Sequence, residues 1–135
     1  MANYIAGDIL EIVCQNDLGE FRFSPKANES FTLDPGGIRI NDDANQITGS
    51  GQGIFQKNRV RWSMEGPIAV DFASENETDK LPLLAADASE GTWTITHISG
   101  TIWRGRGVIV GDIQPDTNTA QMTLKVAGSG RLETI

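Results

Sequence analysis

Short alternating runs of apolar and polar residues dominate the chain, broken every few positions by glycine, proline, asparagine or aspartate. A period of two suits a half-buried strand, because successive side chains leave opposite faces. Asp8–Cys14 is apolar and rich in β-branched residues, with Leu10, Ile12 and Cys14 expected on one face. The turn Asn16-Asp17-Leu18-Gly19 leads into Glu20–Ser24, where Phe21 and Phe23 face in and Glu20 and Arg22 face out. These two runs predict a hairpin. Phe31–Leu33 and Ile38–Ile40 are short strands around Asp34-Pro35-Gly36-Gly37, a strong turn signal. Asn41–Gly53 is polar and glycine-rich, which predicts a long loop or a wide hairpin tip.

Asn58–Met64 alternates Val60, Trp62 and Met64 against Arg59, Arg61 and Ser63. Gly66-Pro67 then interrupts, and Pro67 suits an edge, a strand start or a bulge. Ile68, Val70 and Phe72 line one face of the next strand. Thr92–Ile98 and Thr101–Val110 follow as strands, with Gly105 and Gly107 pointing to a bulge or a close backbone approach. Thr119–Val126 alternates without exception, and Gly128–Ile135 reads as a short last edge strand.

Only Ser74–Glu90 carries a helical period, with Leu81, Leu84, Ala85 and Ala88 at i, i+3, i+4 and i+7. Thr78 or Asp79 is placed to cap it, Pro82 is tolerable only in the first turn, and Gly91 fits the stop. Eight or nine strands with one short helix, over about residues 76–88, predict a mostly-β sandwich or barrel with one covering helix. No repeat or linker divides the 135 residues, so a single domain over 1–135 is expected.

Charge changes the picture in one place. The net charge is −7, a poor balance for gripping nucleic acid through its phosphates. Glu65, Asp71, Glu75, Glu77, Asp79, Asp87 and Glu90 crowd one stretch against a single base, Lys80. That stretch is either a solvated face or an interaction surface. Arg59 with Arg61, and Arg104 with Arg106, stand two apart on strands, and residues two apart share a face. These stripes are either solvated with cross-strand partners or a docking surface for the acidic 65–90 region of a neighbouring subunit. Arg59, Arg61, Arg104 and Arg106, with Glu75, Glu77 and Asp79, are therefore the candidate inter-subunit docking residues.

Candidate chemistry is thin. One Cys and one His give little for a thiol-based or zinc site, and no catalytic, metal or cofactor-binding residue is expected. His97 falls on the face of Trp93 and Ile95, where a structural role is expected. Gly49-Ser50-Gly51-Gln52-Gly53 lacks the Lys-Ser/Thr of a phosphate loop. The acid pairs Asp42/Asp43 and Glu75/Glu77 are not brought to face each other as glycosidase carboxylates must be. The sequons at Asn28 and Asn76 read as chance matches, because Met1–Tyr4 begins no leader-like run and no secretory signal is expected. Trp62, Trp93 and Trp103 each fall in a strand, as core or, on a sharper reading, as sugar-stacking platforms. No apolar run is long enough for a membrane span.

From residue 25 onward the order of elements resembles the bacteriophage tail tube family of contractile tails. The phrases that carry it are Phe31–Ile40 (FTLDPGGIRI), Asn58–Phe72, the acid-flanked helix within Ser74–Glu90, Gly91–Asp112 (GTWTITHISGTIWRGRGVIVGD) and Asp116–Gly128. The resemblance implies a tail-tube β fold with one helix, no enzymatic activity and no cofactor. It implies hexameric rings stacked into a hollow tube that passes DNA without binding it specifically. Tail sheath, baseplate and terminator proteins are the implied partners, with the virion tail, and the host cytoplasm during assembly, as location. The tube protein of type VI secretion shares this architecture, so a phage-like or type VI injection particle is an alternative. A soluble carbohydrate-binding β-sandwich module is another. A polar strand face suits a water-filled lumen, and an anionic one lets DNA phosphates slide.

Overall fold

The computed structural model describes residues 3–40, 46–73, 77–87 and 89–135, with the backbone alone at 77 and 78. Among the described residues strand predominates, with one short helix, and six strands close into a barrel. The strands are β1 (Ile9–Asn16), β2 (Gly19–Pro25), β3 (Thr32–Asp34), β4 (Gly37–Ile40), β5 (Lys57–Val60) and β6 (Ser63–Ala69). Helix α1 (Glu77–Ala86) follows, then β7 (Gly91–His97), β8 (Ile102–Ile109) and β9 (Gln121–Thr134). Neighbours run β2-β1-β7-β8-β9-β6, and β6 meets β2 again to close the ring. Every pairing is antiparallel, and β3 rides on the free part of the β6 edge. β4 and β5 form a separate two-stranded sheet.

Alternation fills the interior. Ile12 and Phe23 face each other across β1 and β2, and Ile95, Met64, Ile68, Leu124 and Val126 complete the core. Trp93 stacks on Phe23 with ring centroids 6.0 Å apart, and its indole N–H donates to the Gly107 carbonyl at 3.0 Å. The β1–β2 hairpin and the inward Phe23 match the sequence pattern, but Leu10 does not. A bulge between Ile9 and Glu11 in the β1–β7 pairing shifts the phase, so Ile9 is buried and Leu10 faces out.

The run Asn58–Met64 is not one strand. β5 ends at Val60 in the outlying sheet, and β6 starts at Ser63 in the barrel. Between them Trp62 drops into the interior, fully buried. Its indole lies on three glycines. A Cβ at Gly105 or Gly107 would come within 2.8 or 2.9 Å of it, and one at Gly128 would collide with the indole and the Arg106 carbonyl. The indole N–H donates to that Arg106 carbonyl at 2.9 Å. The close approach expected at Gly105 and Gly107 is thus a floor for Trp62. Pro67 lies inside β6, not at its start. Its carbonyl accepts from Lys26 N–H at 3.2 Å, so its missing N–H falls on the edge where β3 hands over to β2.

Helix α1 ends at Ala86, with Asp87 already outside it, and Pro82 sits in its second turn, exposed. Its missing N–H removes the backbone bond to residue 78. Leu81 and Leu84 are buried, whereas Ala85 faces out and Ala88 lies outside the described residues. Gly91 is no helix stop. It opens β7, where a Cβ would come within 2.7 Å of Cys14 Sγ. The expected pair of final strands is one strand, β9, which pairs first with β6 and then with β8. No described helix is long and apolar enough to cross a membrane.

Candidate functional site

Two features stand outside the barrel: the β4–β5 arm and a groove at the far half of β9. The groove starts with a break in register. Arg104 opposes Glu133, but Arg106 opposes Ser129, so β9 holds two extra residues there. Gly130 takes φ 74° at this bulge, and Leu132 turns inward and is buried. The bulged backbone is held by the β3–β4 corner: Leu132 N–H donates to the Pro35 carbonyl at 2.9 Å, and Trp62 N–H to the Gly130 carbonyl at 3.2 Å. Gly36 at that corner has φ 72°, and a Cβ there would come within 2.6 Å of Trp62 N. A side chain has neither the backbone freedom nor the room at this position. Asp34 completes the corner by accepting from Gly36 N–H at 2.9 Å and pairing with Arg39. Those contacts hold the Asp34 carboxyl below its usual range, Arg39 contributing most, and raise Arg39 in turn.

The bulge aims Arg131 outward, where bulges often redirect a side chain. On one side lies a cavity of about 480 Å³ with Ile38, Arg59, Val60 and Arg61. On the other lies one of about 470 Å³ with Thr92, Arg104, Arg106, Ser129 and Glu133. Gly130 and Arg131 line both, so the two arginine pairs of the sequence belong to one groove. All five arginines are exposed. Among the described residues Arg59, Arg61, Arg104 and Arg131 form no ion pair, whereas Arg22 binds Glu11 and Glu20. Arg106 donates to the Glu90 carbonyl at 3.4 Å, and Ser129 Oγ to the Glu90 carboxylate at 2.8 Å.

Arg131 has no signal in the alternation, since it stands in what reads as an edge strand. The glycines at 128 and 130, within a strand, are the mark of the bulge that places it. Of the acidic candidates, Asp79 is exposed in the first turn of α1. Glu75 and the Glu77 side chain lie outside the described residues, as do Asp42, Asp43 and Asn76.

The arm carries Ile38, Ile40, Ile47, Ile54 and Phe55, each at least half exposed and Phe55 72%. Its tip is closed by Thr48 N–H to the Gln52 carbonyl at 2.7 Å and Gly51 N–H to the Thr48 carbonyl at 2.9 Å. The glycines there serve a tight turn between the bridged Ile47 and Gly53. A two-stranded hairpin is marginal alone in water, and these apolar side chains stay at least half exposed.

Elsewhere the chemistry is closed off. The Cys14 thiol is buried and pushed up to about 11, first by burial and then by the charge of Asp87, so it stays protonated near neutrality. His97 Nδ1 accepts from Ser99 N–H at 3.1 Å and lies 2.7 Å from Ser99 Oγ, which caps the β7–β8 turn. Trp62 and Trp93 are interior and offer no sugar platform. Trp103 is half-buried, edge-on to His97, beside a cavity of about 630 Å³ with Asp8, Asn28 and Phe31. Among the described residues no three His, Cys, Asp or Glu gather as a metal site. No family model and no curated protein matches the chain.

Proposed function

We propose that the chain is a self-assembling structural subunit, the inner-tube protein of a phage tail, forming hexameric rings that stack into a conduit for DNA. The observation that carries this reading is the β4–β5 arm, which presents Ile38, Ile40, Ile54 and Phe55 to solvent outside a barrel whose own core is filled. Exposed apolar clusters of this kind mark interaction surfaces, and a second copy of the chain is the proposed occupant. The order of elements resembling tail tube proteins gives the assembly its form, and an antiparallel barrel with one short helix agrees with it. Such a role needs no catalytic group and no cofactor. Its site of action is the virion tail, with sheath, baseplate and terminator proteins as neighbours. The tube of a phage-like or type VI injection particle is the same proposal with different cargo. Negative-stain microscopy of the purified chain across concentration tests it: six-fold rings or tubes are expected, and a monomer throughout would overturn it.

A carbohydrate-binding role has one observation in its favour, the Trp103 cavity with Asp8 and Asn28 at its wall. Quenching of Trp103 fluorescence by a panel of oligosaccharides, lost in Trp103→Ala, would support that role in place of assembly.

A further inference from the structure

The chain has 18 acidic residues against 11 basic ones, and five of those 11 stand around the β9 bulge. Folding places opposite charges together elsewhere: Arg22 has two carboxylates and Arg39 has Asp34. Around the bulge five arginines gather with Glu133 and the Glu90 carboxylate beside them, and among the described residues none of the five forms an ion pair. Arg104 and Glu133 are direct cross-strand neighbours and still form no ion pair. The backbone that holds Arg131 between the two pairs is costly in sequence terms, since it needs Gly36, Gly128 and Gly130 in positions that a side chain would disturb or strain. Guanidinium groups gathered along a groove are suited to carboxylates, which they bind through two parallel hydrogen bonds.

We infer that this groove is the receptor for the acidic 65–90 stretch of a second copy of the chain, an inference that rests on the self-assembly proposed above. Charge complementarity selects this occupant. The stretch holds seven of the acids against one base, and within it Glu65 on β6 and Asp79 on α1 are exposed. Glu90 is already bonded to Ser129 at the groove of its own subunit, but Glu65 and Asp79 lie on elements that do not line the groove, so a contact through them is heterologous and propagates from copy to copy. A nucleic acid is the poorer fit, because its phosphates meet a net charge of −7 wherever they leave the groove.

Four chains test it at about 0.15 M salt: wild type, Arg104→Glu with Arg106→Glu, Glu65→Lys with Asp79→Lys, and the fourfold swap. Each is assayed for thermal melting and for the fraction that pellets as assembly. Both double variants are expected to melt near wild type and to lose assembly by about thirtyfold or more. The fourfold swap is expected to regain most of it. If a reversal fails to fold, Arg104→Gln with Arg106→Gln serves in its place, with the same loss expected. Wild-type assembly alongside unchanged assembly of the arginine variants would overturn the groove and leave the tube reading standing. A fourfold swap no better than the doubles would overturn the choice of occupant. A wild-type chain that never assembles would overturn both readings. Retention of a short fluorescent DNA duplex by wild type at this salt, lost in the arginine reversal, would assign the groove to phosphates and overturn the inference.

Discussion

The barrel interior and the β4–β5 arm draw on the same residue types and use them in opposite ways. In the barrel, Ile12, Ile68, Ile95 and Phe23 are shut away from water, and each strand has a partner on both edges. In the arm, Ile38 and Ile40 face solvent on a sheet of two strands, and Ile54 and Phe55 do so in the segment that leads into β5. A core residue stabilises the subunit, and its loss shows in melting. An exposed arm residue contributes little to the subunit alone, and under the proposed assembly its burial comes from another copy. Stability and the proposed assembly should therefore be separable by mutation, and each prediction below presses on that separation.

The largest effect belongs to the Trp62 floor. Gly128→Val drives a branched side chain into the indole and the Arg106 carbonyl. Melting of the purified subunit should show a loss of about 3 kcal/mol or more. A near-native melt would mean that the β9 bulge yields easily, and the barrel would not be the rigid half of the comparison. Next is Leu84→Ala in α1. It opens a cavity beneath a helix with two buried leucines and should cost about 2–5 kcal/mol by chemical denaturation.

Arm variants should invert this pattern. Ile40→Ser with Phe55→Ser removes two exposed side chains, so subunit stability should move by less than about 0.5 kcal/mol per site while assembly falls. Equal losses in both assays would assign the arm to the subunit's own fold.

Smaller still are the pH effects. Cys14 is neutral when folded, with its pKa raised to about 11 from an ordinary 9.0. The stability this contributes is complete below pH 9 and is lost as pH rises from 9 to 11, because the unfolded thiol ionises first. Cys14→Ala should flatten that part of the melting profile relative to wild type. Asp34 has the opposite sign. Its lowered pKa gives stability above the ordinary carboxylate pKa, and this fades as pH falls through the lowered value. Asp34→Asn should blunt the acid-side decline, by an amount kept small by the pair's exposure.

Strand periodicity was legible wherever one face of a strand stayed turned to the core, as at half-buried Phe21 and buried Phe23 or at Met122, Leu124 and Val126. It misled where the backbone changed phase. Leu10 follows the alternation in sequence, but the bulge at Ile9–Glu11 turns it out. Val60, Trp62 and Met64 alternate across a break between two sheets, because Trp62 is held by distant glycines that no local pattern announces. Arg104 and Arg106 share β8 as their spacing predicts, whereas Arg61 falls in the break between β5 and β6 and shares no strand with Arg59. The union of the two pairs through Arg131 was not legible, since it depends on two extra residues in β9 and on a corner near 100 positions away in the chain, at Pro35 and Gly36.

Sedimentation velocity of wild type beside the Ile40→Ser, Phe55→Ser chain tests the central claim most directly. Wild type is predicted to pass from the 14.6 kDa monomer to ring-sized and larger species as concentration rises, while the variant stays monomeric with an unchanged melt. A wild-type chain that sediments as the monomer at every concentration, or a variant that assembles as well as wild type, would contradict it.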